Sequence, residues 1–349
     1  MPVSAARSVA FDILLRVETT EAYSSELLHS ARAAALSPAD HGLATEITMG
    51  VLRWTRVLDE WIAAHLDRSL AKLDVEVMTA LRMGAYQLFF LQRIPPHAAI
   101  HESVELVKKA RKRSAAGMVN AVLRKMKPSA ALRPIGAHPG WVIERWNAIY
   151  GPKAVQDICH YDQQAPQTVV RADAVLVREL ESEGIGLRPG KLLSSSHVVT
   201  SGEITRARAF RDKRLVIQDE GSQLVALLLG QGPRMLDCCA APGGKTRILA
   251  ERSPGATIVA MELHPQRAAL MKRLLPARDV HIIAADARTM PFEAVFDRVL
   301  ADVPCTGTGT LARNPEIKRR LRPEDIPRMV TASMPNWRKH SESTTREFS

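Results

Sequence analysis

The chain has 349 residues, and its 48 lysines and arginines against 37 aspartates and glutamates give a formal charge of +11. A hydrophobic content of 46% and a charged content of 24% are typical of globular proteins and exclude a disordered or collagen-like chain. The four cysteines form no Cys-x-x-Cys pair, and every apolar run is far shorter than the roughly 18 residues that span a bilayer. Arg7 and Asp12 interrupt any signal-peptide core. We therefore expect a cytoplasmic, metal-free, monomeric protein of two or three domains, with no membrane contact and a polyanionic partner.

Apolar side chains recur with helical spacing from residue 7 to about residue 127, which predicts an all-helical first domain over residues 1–128. The stretch Ser37-Pro38-Ala39-Asp40 combines an N-cap, a proline at the first helical position and an acid in the first turn. Pro95-Pro96 interrupts the pattern and starts a new helix.

The end of this helical region, residues 104–127, is strongly basic. Its one acid is Glu105, and its eight cations are Lys108, Lys109, Arg111, Lys112, Arg113, Arg124, Lys125 and Lys127. This density favours phosphate binding about as much as a solvated polar face. A second basic stretch runs from Arg313 to Arg322, and we interpret both as parts of an RNA track.

Residues 128–140 are rich in Pro, Gly and Ala and predict a linker. The following residues predict a small α+β module over 138–218, which would bind RNA or act as a linker. Its elements are a helix over Trp141–Tyr150, a helix over Ala174–Glu183, and strands at Thr168–Arg171, His197–Thr200 and Leu215–Ile217.

From residue 219 the pattern alternates between strands and helices, which predicts a parallel, Rossmann-like α/β domain. The predicted strands are Arg234–Ala240, Thr257–Glu262, Val280–Ala285 and Arg298–Val303, and the predicted helices are Lys245–Glu251 and Pro265–Leu275. The fourth strand is expected to form an exposed edge of the sheet.

The segment from Met235 to Thr246 joins a predicted strand to a helix through a Gly-rich turn. Cys239 stands where a phosphate-binding P-loop requires glycine, which disfavours a nucleotide hydrolase. Glu262 ends the next strand, where an acid can bind ribose hydroxyls, and Asp286 and Asp302 end the third and fourth strands. Each acid taken alone is more simply interpreted as a cap or turn residue. Because parallel strands end at one edge, the set together predicts a site for a nucleoside-bearing cofactor.

Cys305 follows Pro304 at the predicted mouth of the fourth strand, a position that suits an exposed thiol facing a substrate. Isolated cysteines are more often buried small hydrophobes, and that is what we expect of Cys159, Cys238 and Cys239.

Several motifs resemble those of the S-adenosylmethionine-dependent RNA cytosine-C5 methyltransferases. They are LDCCAAPGGKT at 236–246, ME at 261–262, AD at 285–286 and DVPCTGTGTLARNPEIK at 302–318. The helical N-terminus, with SPADHGLATEITMGVLRW and PPHAAIHESVELVKKARKRSAAGMVNAVLRKM, resembles an RNA-binding domain of the antitermination factor NusB type. The helical region and the methyltransferase region together, over residues 7 to about 330, are similar to the bacterial 16S rRNA cytosine-C5 methyltransferases of the RsmB, Sun or Fmu family.

The resemblance implies S-adenosylmethionine as cofactor and 16S rRNA as substrate, in rRNA processing. The methionine end of the cofactor would contact Cys239, Ala240, Ala241, Pro242, Gly243, Gly244 and Lys245. Glu262 would bind the ribose of the cofactor and Asp286 its adenine. Asp302 would border both the cofactor and the target base. Lys245 and Asp302 would contact the cytosine, and Cys305 would assist product release. In this family a cysteine thiolate adds to C6 of the unstacked cytosine so that C5 can attack the methyl group.

The family pattern places the attacking cysteine in a Thr-Cys pair, and these 349 residues contain none. Residues 331–349 are rich in Ser and Thr and predict a disordered, aberrant tail after a partial methyltransferase domain over 219–330. We therefore expect a C-terminally truncated enzyme whose methyl transfer is impaired. Two alternatives stay open: Cys305 itself attacks C6, or the chain is a non-catalytic RNA-binding protein of rRNA or antitermination complexes.

Overall fold

A computed structural model describes residues 3–127, 133–275, 279–289 and 296–333. Its helices are α1 (Ala5–Thr19), α2 (Ser24–Leu28), α3 (Ala31–Ala34), α4 (Pro38–Ala63), α5 (Val75–Phe90), α6 (Pro96–Lys109), α7 (Ala116–Lys125), α8 (Gly140–Asp162), α9 (Ala174–Ser182), α10 (Arg208–Arg211), α11 (Glu220–Leu228), α12 (Gly244–Arg252), α13 (Pro265–Leu274), α14 (Ile317–Arg320) and α15 (Asp325–Ser333). Its strands are β1 (Val169–Arg171), β2 (Gly186–Pro189), β3 (Ser196–Ser201), β4 (Val216–Ile217), β5 (Arg234–Asp237), β6 (Thr257–Glu262), β7 (Val280–Ala284) and β8 (Arg298–Leu300).

The contacts between residues divide the chain into two units. The first comprises Met1–Pro166 with Gly307–Pro323, and the second comprises Gln167–Thr306 with Glu324–Ser349. Helix α8 therefore groups with the first unit, although it was predicted to open the α+β module. The boundaries drawn from the sequence at residues 128, 138, 218 and 330 stay predictions.

The N-terminal part of the first unit is helical, as predicted, around a core that includes Ile47, Leu58, Leu81 and Leu106. Ser37 caps α4 by accepting a hydrogen bond from the amide of Asp40. The predicted linker falls partly on residues 128–132, which lie outside the described residues.

Helix α8 extends beyond the predicted end at Tyr150 because the chain resumes a helical path after a kink. Gly151 adopts a left-handed backbone with φ of 77°, and Pro152 follows it. Glycine tolerates this conformation, and proline suits the first turn of the second half of the helix.

The segment 307–323 groups with the first unit, and three of the cations between Arg313 and Arg322 are engaged there. Arg319 pairs with Glu18, and Arg320 donates to the carbonyl oxygens of Val17 at 2.9 Å and Ala22 at 2.8 Å. Lys318 is only 5% exposed. These contacts argue against the three side chains as parts of the predicted RNA track, whereas Arg322 is exposed.

The second unit contains an antiparallel sheet in the order β2-β3-β1-β4, with Leu180 of α9 in the adjoining core. The strands β1, β3 and β4 and the helix α9 match the predicted module. β2 and the short helix α10 were not predicted, and the predicted helix Trp141–Tyr150 lies in the first unit. β2 escapes a sequence pattern because it has four residues and both begins with glycine and ends with proline.

The second unit also contains the predicted parallel sheet, in the order β7-β6-β5-β8. Met235, Ile258 and Leu249 pack between this sheet and α12. β8 lies at an edge of the four described strands, as expected. β5 and β8 each end three residues before their predicted ends, because Cys238–Ala240 and residues 301–303 leave the ladder to form the loops that carry polar side chains.

Helix α15 extends to Ser333, so the prediction of a disordered tail is wrong for residues 331–333. Residues 334–349 of that predicted tail lie outside the described residues. Within the described part of the chain, no helix is long and apolar enough to cross a membrane, and no three His, Cys, Asp or Glu side chains are grouped so as to hold a metal ion.

Candidate active site

The Gly-rich turn between β5 and α12 forms the floor of the candidate site. Gly243 has φ of 105° and precedes the first turn of α12. A Cβ atom on Gly243 would lie 2.9 Å from Cδ1 of Leu275, so both the backbone and the available space require glycine. The amide of Ala240 donates to the carbonyl of Met261 at 2.8 Å, which ties the turn to β6.

Asp237 ends β5 and is 1% exposed. Burial raises its pKa to about 6, although the hydrogen bond from Thr246 Oγ1 at 2.7 Å and the charge of Lys245 oppose this shift. Asp237 is absent from the residues predicted above. An acid as the last residue of a strand, directly before a Gly-rich turn, is the signal that could have identified it.

Lys245 and Asp302, which were predicted to act together, are in contact. Lys245 Nζ lies 2.5 Å from Asp302 Oδ2, and the Asp302 side chain is 51% exposed. This ion pair links the start of α12 to the loop after β8 and leaves the carboxylate accessible.

Glu262 and Asp286 lie at the carboxyl ends of β6 and β7. Glu262 is the last residue of β6 and is 5% exposed, and its Oε1 accepts a hydrogen bond from the amide of His264 at 3.0 Å. Asp286 comes two residues after β7 and is bound by Arg288 at 2.6 Å, a hydrogen bond that lowers the pKa of Asp286. The structure thus places both acids at the predicted edge of the sheet.

The half-buried thiol of Cys239 shows that these acids converge. Its pKa is raised first by burial and then by the negative charges of Asp237, Glu262, Asp302 and Asp286. Acids from the ends of four strands therefore lie near one turn; Glu262, Asp286 and Asp302 were predicted there, and Asp237 was not. Lys245, Arg267 and Arg288 lie beside three of these acids and offset part of their negative charge.

The four cysteines differ in exposure. Cys159 and Cys238 are buried, and burial raises their pKa values to about 11 and about 12. Cys305 is exposed, as predicted. The expectation that Cys239 is buried is wrong, because it lies in the turn after β5 and is only partly buried.

The predicted RNA-binding cations are mostly exposed but partly neutralised. Lys108 pairs with Glu105 at 2.7 Å, and Lys112 lies 3.1 Å from Asp74. The remaining interactions are a hydrogen bond from Lys109 to Ser8 at 2.7 Å and one from Arg124 to Asn120 at 3.2 Å. Arg111, Arg113 and Lys125 are exposed. Lys108 and Arg124 also line a groove of about 580 Å³ with Phe89, His97 and His101.

Comparisons with known proteins agree with this architecture. The NusB family model matches residues 4–128, and the model of the 16S rRNA methyltransferase RsmB/F family matches residues 224–334. The crystal structure of PH0851 superposes with a TM-score of 0.74 at 20% identity, covering 94% of this chain and 81% of that one, which supports the fold.

Two curated relatives carry closely related names. The probable ribosomal RNA small subunit methyltransferase B of Bacillus subtilis is 32% identical, over 95% of this chain and 80% of the relative. The ribosomal RNA small subunit methyltransferase B of Pseudomonas putida is 33% identical, over 84% of this chain and 72% of the relative. The chain combines a NusB region with an RsmB/F methyltransferase region, and it matches these relatives over most of their length. It therefore belongs to the ribosomal RNA small subunit methyltransferase B family.

Proposed function

We propose that the chain binds S-adenosylmethionine at the carboxyl edge of its parallel sheet, and that the reaction of its lineage is methylation of a cytosine C5 in 16S rRNA. The observation that carries this proposal is the convergence of Asp237, Glu262, Asp286 and Asp302 on the turn at Cys239.

The residues at this edge fit such a cofactor. Gly243 lets the chain turn sharply at φ of 105°, directly before the N-terminus of α12, where backbone amides are free to bind polar groups. Glu262 offers a buried carboxylate where ribose hydroxyls are bound in open parallel sheets. The sulfonium centre of the cofactor supplies the transferable methyl group.

Lys245 and Asp302 are suited to hold the target base. The carboxylate of Asp302 can accept a hydrogen bond from the exocyclic amine of cytosine, and Lys245 fixes its position at 2.5 Å. A charge-assisted contact of this kind orients the ring and stabilises charge that develops on it. Cys305 is the exposed thiol that follows in the chain.

Methyl transfer by these 349 residues is proposed to be impaired, because no Thr-Cys pair supplies the thiol that attacks C6. The second possibility is attack by Cys305. Trapping with a 5-fluorocytosine RNA tests it, since a covalent adduct at Cys305 would show attack there and its absence would exclude it.

Cofactor binding is tested by calorimetric titration of the chain with S-adenosylmethionine. Glu262→Gln should weaken binding at least about tenfold, because hydrogen bonds to a charged acceptor are worth about 1.5–3 kcal/mol. Glu203→Gln, at an exposed carboxylate that pairs with Arg206, is the matched control and should bind normally. A folded chain with no measurable affinity would contradict the proposal, and normal turnover on small-subunit rRNA would contradict the proposed impairment.

A non-catalytic RNA-binding role is the second candidate, and the exposed cations Arg113 and Lys125 favour it. The two roles separate in one experiment with tritiated cofactor and 16S rRNA. Retention of RNA without transfer of label would support binding alone, whereas label in the RNA that depends on Cys305 would support catalysis.

A further inference from the structure

Gln218 directly follows β4, the last strand of the antiparallel sheet, and precedes the residues 224–334 that the RsmB/F family model matches. Its backbone amide donates to the carbonyl of Val169 in β1 at 2.9 Å. Its own carbonyl accepts a hydrogen bond at 3.0 Å from Nε2 of Gln223, a side chain that is 0% exposed. Both polar groups of the Gln218 backbone are therefore held within the second unit.

The side chain of Gln218 lies against Gly244, the first residue of α12. A Cβ atom on Gly244 would lie 3.2 Å from Nε2 of Gln218 and 3.7 Å from its Oε1. Because Gly244 has no side chain, the amide of Gln218 can approach the backbone at the end of the Gly-rich turn. A residue of the antiparallel sheet region thus reaches the floor of the candidate active site.

The two polar atoms of this side-chain amide differ in their contacts. Nε2 donates to Oγ of Ser222 at 3.4 Å. Oε1 is buried and has no hydrogen-bond partner among the residues that the structure describes. A buried acceptor without a donor lowers the stability of the folded chain, and a ligand that donates to Oε1 would remove this cost.

The position of this acceptor suits one part of S-adenosylmethionine. The first turn of a helix has unpaired backbone amides, and such amides bind carboxylates. The amino-acid end of the cofactor carries its carboxylate and its ammonium group on the same carbon atom. A site for this end therefore needs an acceptor close to the amides of a helix start, and Oε1 of Gln218 lies beside the first residue of α12.

We propose that Gln218 binds the amino-acid end of the cofactor, with Oε1 accepting a hydrogen bond from the ammonium group. This assignment rests on the proposed function. It adds to the cofactor site a residue that lies outside the methyltransferase family match, so the α+β region before residue 219 contributes to cofactor binding as well as to the fold.

The test compares two ligands by calorimetric titration of the full chain. One is S-adenosylhomocysteine, and the other is its deamino analogue, in which hydrogen replaces the ammonium group and the carboxylate remains. Gln218→Met keeps the length of the side chain but removes the acceptor. It should weaken the binding of S-adenosylhomocysteine about tenfold or more, and that of the deamino analogue less than about twofold. Gln218→Glu, which keeps an acceptor, should bind S-adenosylhomocysteine within about threefold of the wild type.

Gln231→Met is the matched control. Gln231 is an exposed glutamine of the same unit, and its Nε2 donates to the carbonyl of Arg252 at 2.6 Å. This variant should bind both ligands as the wild type does. Equal losses for the two ligands in Gln218→Met, or an unchanged affinity for S-adenosylhomocysteine, would overturn the inference and leave the proposed function intact. A folded wild-type chain that binds neither ligand would contradict the proposed function and this assignment with it.

Discussion

Thr246 Oγ1 donates a 2.7 Å hydrogen bond to Oδ2 of Asp237, whose carboxyl group is buried at the end of β5. Burial raises the pKa of Asp237 to about 6, above its ordinary value of 3.8. Between these values the folded chain keeps a proton that the unfolded chain releases, so the free energy of unfolding falls as pH rises from about 4 to about 6.

Asp237→Asn should remove this fall. Relative to the wild type, the variant should gain stability on going from about pH 4 to about pH 7, by at most about 3 kcal/mol for a shift of about two pKa units. Scanning calorimetry of both proteins at several pH values measures the difference. Asp279→Asn, at an exposed position in the same unit, is the control. A difference between Asp237→Asn and wild type that does not vary with pH would contradict the raised pKa.

Gly243→Ala should destabilise the second unit and weaken cofactor binding. The new methyl group would meet Leu275 at 2.9 Å and would also occupy a backbone with φ of 105°. Gly255→Ala is a matched control, because Gly255 has φ of 80° but no atom within 4 Å of the new Cβ. We expect about 1 kcal/mol of backbone strain in the control and a larger loss in Gly243→Ala. Equal melting temperatures for the two variants would show that the contact with Leu275 carries no cost.

RNA binding should depend on the exposed cations of residues 104–127. Lys125→Ala and Arg113→Ala should each lower the slope of log affinity against log salt by about one, as expected for the loss of one phosphate contact. Filter binding to a 16S rRNA fragment at several salt concentrations gives the slope. Arg206→Ala removes one exposed charge from the second unit and serves as the control. The same decrease in all three variants would indicate a general charge effect without a defined track.

Lys318→Met should remove a pH dependence from the stability of the first unit. Burial lowers the pKa of Lys318 to about 8, although the negative charge of Asp162 opposes this shift. The unfolded chain therefore binds more protons between about pH 8 and about pH 10.5, and the stability of the wild type rises with pH across this window. Methionine removes the rise, so from about pH 8 to about pH 10.5 the wild type should gain on the variant by at most about 3 kcal/mol. Urea unfolding followed by tryptophan fluorescence at several pH values tests this, and a difference between the two proteins that does not vary with pH would contradict it.

The sequence was sufficient to predict the parallel sheet and its polar edge. β6 was predicted to the residue, because Thr257–Glu262 is an apolar run bounded by a Gly turn and by the Pro265 helix start. The resemblance implied that Lys245 and Asp302 contact the same base, and the structure shows their side chains 2.5 Å apart.

The fate of the basic stretch Arg313–Arg322 could not be predicted, because its acceptors are distant in sequence. Glu18 lies about three hundred residues from Arg319, and the carbonyls that bind Arg320 are backbone atoms without any signal of their own. The composition shows how many cations a stretch contains. It does not show whether an acid or the carbonyl end of a helix lies beside each of them. The roles of individual site residues toward cofactor and base likewise depend on ligand contacts and stay predictions.

The packing of residues 307–323 within the first unit also limits how members of this family can exchange parts. A chimera that replaces residues 4–128 with the corresponding region of a relative would keep Glu316 and Arg320 but change the residues at 17–24 that receive them. Each such exchange has to carry two separate stretches of sequence to remain compatible. Compensating changes between positions 17–24 and 307–323 are thus the expected record of divergence in this family, and a recombination point inside either stretch should be selected against.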